Sequence, residues 1–169
     1  MFKKLTFITI LLLPILANAA GIKQFQLDKP FEVTDVQFVD ENNIIHNLTD
    51  YKGKVVLLNF WATWCGPCVS EMASLSRLAD NVKGQDIEII PVSIEYKDIE
   101  VIRKFYKEHN ITNIPAYRDD RGNSFKALKL QALPTSFVVN KEGKAVAKIL
   151  GEIDWADKEA QGYLEQLGR

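Results

Sequence analysis

Val55-Val56-Leu57-Leu58-Asn59-Phe60-Trp61-Ala62-Thr63-Trp64-Cys65-Gly66-Pro67-Cys68 is the stretch that decides the fold of this chain. Apart from Asn59, its first part (residues 55–60) is a continuous apolar and β-branched run, the pattern of a central strand buried on both faces. Its end, Trp64 to Cys68, holds the only two cysteines in 169 residues, three positions apart. Beyond it Glu71, Met72, Leu75, Leu78 and Ala79 recur at helical spacing to about residue 82, where Gly84 stops the helix. A CxxC alone also occurs in zinc and haem-attachment sites. Between a strand and a helix it points to reversible dithiol–disulfide chemistry.

The pattern continues on both sides. Residues 20–30 read as a polar lead-in and 31–39 as a strand. Asp40-Glu41-Asn42-Asn43 is turn chemistry and Ile44-Ile45 resumes an extended run, which predicts an N-terminal hairpin. Residues 48–51 read as a short turn or helix before Gly53, and 87–94 as a second buried strand. Asp98 is placed to cap a helix over 99–109. Residues 114–117 read as a short extended piece, 119–123 as a turn, and Phe125, Leu128 and Leu130 as a short helix. Ser136 to Val139 form another strand, Asn140-Lys141-Glu142-Gly143 a hairpin turn, 145–150 its return, and 154–167 a final helix carrying Trp155. Strands alternating with helices, then a hairpin and a helix, imply an α/β sandwich around a mixed sheet.

Two intervening residues let one helical turn bring the two sulfurs within bonding reach, and closing so small a ring changes little else. Pro67 suits a first helical turn, so Cys65 falls at the helix N-terminus. Unpaired N–H groups and the positive end of the dipole favour its thiolate there. Cys65 is expected to be the exposed nucleophile and Cys68 the buried resolving thiol. A static staple gains most from closing a long loop, and this loop is minimal. Structural zinc needs four ligands. Beyond the two cysteines the chain offers only His46 and His109, far apart in sequence, so no metal is expected. The dithiol carries the electrons itself, so no cofactor is expected either.

The block from Val56 to Cys68 resembles the thioredoxin superfamily, and more narrowly the exported TlpA/ResA/DsbE branch of thiol-disulfide oxidoreductases. Leu133-Pro134-Thr135-Ser136-Phe137, followed by Asn140-Lys141-Glu142-Gly143-Lys144, resembles that superfamily's proline loop and terminal hairpin. Residues 95–130 resemble the branch's central insertion. The resemblance covers about residues 27–167. It implies a thioredoxin fold: a three-layer α/β/α sandwich with a mixed sheet, an N-terminal β-hairpin and a central insertion. It implies that Pro134 is a cis-proline beside the disulfide, and that Leu133, next to Trp64, presents backbone polar groups to an extended substrate. Thioredoxin carries a buried aspartate where this chain has Asn59, and asparagine cannot accept a proton. The branch points instead to Glu71 and Glu95 as proton carriers. Glu71 lies one turn beyond Cys68 on the same helix. The rival reading of each acid is a solvated surface residue, and Glu95 is the weaker candidate of the two.

The composition, 47% hydrophobic and 25% charged with net charge −1, is that of an ordinary globular protein and excludes a basic nucleic-acid surface. Lys3-Lys4, an apolar stretch over 5–16 and Ala17-Asn18-Ala19 read as an export signal cut before Ala20. The rival is an uncleaved anchor, since no charge appears over the 18 residues from Leu5 through Ile22, although Pro14 interrupts the run. The expected organisation is a signal peptide or anchor over 1–19 and a thioredoxin-like domain over 20–169. Membrane contact is expected only if that segment stays. Either way the domain lies where disulfides persist, taken as the periplasm. The resemblance further implies the reducing direction, a membrane thiol-reducing transporter as electron donor, and disulfide-bearing substrate proteins such as apocytochrome c. The open alternatives are an oxidant or isomerase, and a thioredoxin-like module that binds without turnover.

Overall fold

The computed structural model describes residues 22–95, 98–119 and 121–169. In chain order the elements are β1 (Gln26–Glu32), β2 (Gln37–Val39), β3 (Ile45–Asn47), β4 (Val55–Trp61), α1 (Gly66–Asn81), β5 (Ile87–Ser93), α2 (Glu100–Glu108), β6 (Tyr117–Asp119), α3 (Asn123–Ala127), β7 (Thr135–Val139), β8 (Lys144–Leu150) and α4 (Lys158–Gly168). The strands form one mixed sheet in the order β1-β8-β7-β4-β5-β6-β2-β3. The expected export or anchor segment, 1–19, lies outside the described residues.

The apolar run becomes the sheet's centre because every residue of β4 is buried. β4 pairs in parallel with β5 and antiparallel with β7. Its side chains alternate between two cores. Val55, Leu57 and Trp61 point to the side covered by α1, α2 and α4; Val56, Leu58 and Phe60 point to the other. Each fully buried large apolar side chain contributes about 1.5–3 kcal/mol, so this strand anchors both layers. Asn59 falls on the α1 side by the same alternation. The second layer is thinner: Leu48 and Tyr51 of a 3-10 turn, Phe125 of α3, Val33 and Val36. The sandwich is three-layered, as the thioredoxin fold requires, with the longer helices on the disulfide side. The central insertion supplies α2, β6 and α3.

Several boundaries differ from the sequence reading. The polar lead-in carries regular structure: Ile22–Phe25 is a 3-10 turn with Ile22 buried, and Gln26–Glu32 is the edge strand β1. Its polarity is that of an edge, where nearly every side chain meets solvent. The strand expected over 31–39 is therefore two, joined through buried Val33 and Val36, because β1 and β2 lie in different parts of the sheet. The short strand expected over 114–117 is Tyr117–Asp119, with Phe38 paired to Asp119. The last helix begins four residues later than expected. Asp157 accepts from Glu159 N and caps it, and Trp155 precedes the helix in a turn, its own side chain buried.

Candidate active site

β4 and β5 run in parallel and end at one edge of the sheet, and that end carries the site. After Trp61 the chain turns through residues 62–64. Cys65 N donates to Ala62 O at 3.1 Å, and Ile94 N donates to Trp61 O at 2.9 Å, which fixes the turn against β5. Cys65 is the N-cap of α1, with Pro67 in the first turn, and its Sγ accepts from Cys68 N at 3.3 Å. A backbone N–H and the N-terminal dipole thus face this sulfur, conditions that favour a thiolate on reduction. Cys65 and Cys68 form a disulfide, with Cα atoms 5.2 Å apart. Cys65 keeps 7% exposure and Cys68 none, the order expected of an attacking and a resolving sulfur.

The proline loop arrives at the same end. β7 pairs with β4 so that Thr135 lies opposite Phe60 and Ser136 opposite Asn59. This places Leu133 and Pro134 just beyond the strand, level with the Trp61-to-Cys65 turn. The Leu133–Pro134 peptide bond is cis; Pro134 is buried and Leu133 half-buried. Trp64 stands 67% exposed at this edge. Leu150, opposite Thr135 in β8, is 56% exposed, and Gly151 N donates to Pro134 O. Trp64, Leu133 and Leu150 make this end of the sheet apolar as well as redox-active. Leu150 escapes a sequence reading because it looks like one more residue of an alternating strand.

Glu71 is not a solvated helix residue. It is 2% exposed and accepts three hydrogen bonds: from Asn59 Nδ2 at 2.8 Å, Trp155 Nε1 at 2.8 Å and Ile153 N at 3.2 Å. Burial raises its pKa above the ordinary glutamate value; the three donors oppose that rise and Glu152 adds to it. Three residues along a helix place it about 4.5 Å further along the axis than Cys68. Beside it opens a cavity of 320 Å³ lined by Ser70, Ser74 and Arg77 of α1 and by residues 152–154. The loop after β8 is pinned there: Trp155 N donates to Ser74 Oγ at 3.1 Å, and Arg77 pairs with Asp154.

Asn59 is the residue the sequence reading undervalued. Its Nδ2 also donates to Ser136 Oγ at 2.8 Å, while its Oδ1 is buried with no partner among the described residues. An unmet buried acceptor costs about 1–3 kcal/mol. The signal was present in sequence: one amide in an otherwise apolar strand buried on both faces. Glu95 is buried at the end of β5 and accepts from both the N–H and the hydroxyl of Thr63. Trp61 is fully buried against Phe105 and Tyr106, as expected of a core residue. His46 pairs with Asp40, and His109 stacks on Phe105.

Residues 25–148 match the AhpC/TSA family. The chain belongs to the AhpC/TSA family. Among relatives of this member are the thiol-disulfide oxidoreductases ResA of two Bacillus species. ResA of Bacillus cereus strain ATCC 10987 is 31% identical over 94% of each chain, and ResA of Bacillus anthracis is 33% identical over 94% of each. Among solved structures, the exposed lipoprotein thioredoxin Etrx1 of Streptococcus pneumoniae strain TIGR4 is similar at 27% identity, with a TM-score of 0.66 over 79% of this chain and 99% of its own. Thioredoxin fold, paired cysteines and these relatives agree: this AhpC/TSA member is a thiol-disulfide oxidoreductase.

Proposed function

We propose that this oxidoreductase reduces disulfides of exported proteins, with Cys65 as nucleophile and Cys68 as resolving thiol. The observation that carries the reading is the placement of Cys65 at the N-cap of α1, where Cys68 N donates to its sulfur, while Cys68 lies fully buried one turn inside. In the dithiol form, the Cys65 thiolate attacks a substrate disulfide. One substrate sulfur bonds to Cys65, and the other leaves as a thiolate and takes up a proton. Cys68 then attacks Cys65 and releases the second substrate thiol, so two electrons pass to the substrate and the enzyme is left as the disulfide.

Glu71 takes the proton of Cys68 in the resolving step, a role its burial and its place one turn beyond Cys68 support. Trp64, Leu133 and the backbone before Pro134 hold the substrate segment. Gly66-Pro67 is the pair found in reducing thioredoxin-like proteins, and electrons come from a membrane thiol transporter. Apocytochrome c haem-binding cysteines and copper-site cysteines are the substrates of choice. The expected export segment over 1–19 supports a periplasmic site of action, with the domain free or held at the inner membrane.

An insulin-type disulfide reduction assay on the chain and on Cys65→Ser tests the mechanism; equal activity of the two would sink it. The reduction potential against glutathione tests the direction, and a value near that of strong oxidants would make the protein an oxidant or isomerase. Cys68→Ser stalls at the mixed disulfide and keeps the physiological substrate attached. Failure of that variant to retain any protein, with the insulin activity absent, would favour a binding module.

A further inference from the structure

Among the described residues, every partner of the Glu71 carboxyl is a donor. Asn59 Nδ2 meets Oε2, and Trp155 Nε1 and Ile153 N meet Oε1. That set suits a carboxylate, which only accepts. A protonated Glu71 would direct its O–H at N–H groups and find no acceptor. Immediately beside it, Asn59 Oδ1 is a buried acceptor with no partner among the described residues. The two ends of an amide are alike in size and opposite in polarity, so a half-turn about χ2 exchanges donor for acceptor without changing shape.

We propose that Asn59 is a positioning residue whose side-chain amide reverses when Glu71 gains the proton of Cys68. With Glu71 ionised, Nδ2 donates to Glu71 Oε2 and to Ser136 Oγ, as in the structure. With Glu71 protonated, Asn59 Oδ1 turns inward and accepts the carboxyl O–H. Ser136 follows, because a hydroxyl both donates and accepts, and now gives its O–H to the same oxygen. The inference rests on the reading of Glu71 as the proton acceptor. In that step the S–H bond of Cys68 breaks and an O–H bond forms on Glu71. The Cys68 thiolate attacks Cys65, and the substrate thiolate leaves with the S–S electron pair and takes up a proton. An aspartate at position 59 would set a second carboxylate against Glu71 and divide one proton between two sites. Asparagine confines the proton to Glu71 and still serves both of its states.

The charged and titratable groups around Glu71 are Cys68 and Arg77 on α1 and Glu152 and Asp154 on the loop after β8; β4 and β7 present only Asn59 and Ser136. The test is a pH titration of the full chain in its disulfide form, which removes Cys68 as a titrating group. The Asn59 side-chain amide and the Glu71 carboxyl carbon are followed by NMR, and Glu152→Gln and Asp154→Asn assign any neighbouring transitions. The expected result is one shared midpoint for the two residues, with the Asn59 amide flat in Glu71→Gln. A titrating Glu71 beside an unmoved Asn59 amide would overturn the reversal and leave the proton role standing. A Glu71 that takes up no proton over the pH range in which the enzyme turns over would overturn both. As a second measurement, Asn59→Leu removes the amide from both states; the charge-assisted bond to the carboxylate is the larger loss, so the pH midpoint of the resolving step is expected to move upward. A rate lowered equally at every pH, with the midpoint unmoved, would reduce Asn59 to a packing residue.

Discussion

Glu71 and Glu95 are both buried acids near one disulfide, and they are held in different ways. The three donors to Glu71 come from β4, from the loop after β8 and from an indole in the turn before α4. Among the described residues, both donors to Glu95 come from Thr63, two positions before Cys65. The first acid ties distant parts of the chain together behind Cys68. The second shapes the short turn that presents Cys65. A carboxylate fixed by long-range partners in a buried site is tuned by the whole fold, and burial raises the pKa of Glu71. A carboxylate fixed by its neighbouring turn mainly holds the shape of that turn.

The broadest break of this comparison removes the chemistry it serves. Cys65→Ser is expected to abolish insulin reduction altogether, so that neither acid has a measurable kinetic effect in that background. Next in size is Glu71→Leu, which leaves Asn59 Nδ2, Trp155 Nε1 and Ile153 N without their acceptor. A loss of about 3 kcal/mol or more in urea unfolding is expected, against less than about 1 kcal/mol for Glu95→Gln. The isosteric Glu71→Gln keeps an acceptor for Trp155 and Ile153. It is expected to slow resolution of a mixed disulfide by about 10²-fold near neutral pH, and an unchanged pH–rate profile would dismiss the proton role.

Stability against pH sharpens the same contrast. The folded pKa of Glu71 lies above its unfolded value. Between the two the native state holds a proton that the unfolded chain has lost, so stability falls as pH rises through that window. The contribution is complete below the ordinary glutamate pKa, about 4.3, and is lost as pH rises through the folded value. Glu71→Gln is therefore expected to gain on the parent protein as pH rises from about 4.3, measured by urea midpoints at successive pH values. The smallest effect belongs to Glu95→Gln: a three- to tenfold loss in the initial attack by Cys65, about 1 kcal/mol, with the pH dependence of resolution unmoved. Equal pH shifts from both glutamines would erase the distinction drawn between the two sites.

Much of this was legible in the chain, for local reasons. An unbroken apolar run bounded by a CxxC and a helix-spaced segment specifies a buried strand feeding a helix N-terminus, and β4 and α1 follow it closely. The edge strand β1 was not legible, because a strand whose side chains nearly all meet solvent carries no apolar alternation. The start of α4 was misplaced for a related reason. Trp155 has the apolar bulk of a helix face, yet its N–H groups are spent on Ser74 and Glu71 in the turn before it.

By itself the sequence determined the cysteine pair and the fold around it. Three-residue spacing, a proline in the first turn and an apolar strand ahead of it act over one or two turns of chain. Only the tertiary structure decided the state of the acids and the place of Asn59. Whether a glutamate on a helix is solvated or sealed depends on what the sheet and a loop some eighty residues away bring against it. Asn59 by sequence marked the loss of a buried acid. In the folded chain it joins Glu71 to Ser136 on the neighbouring strand.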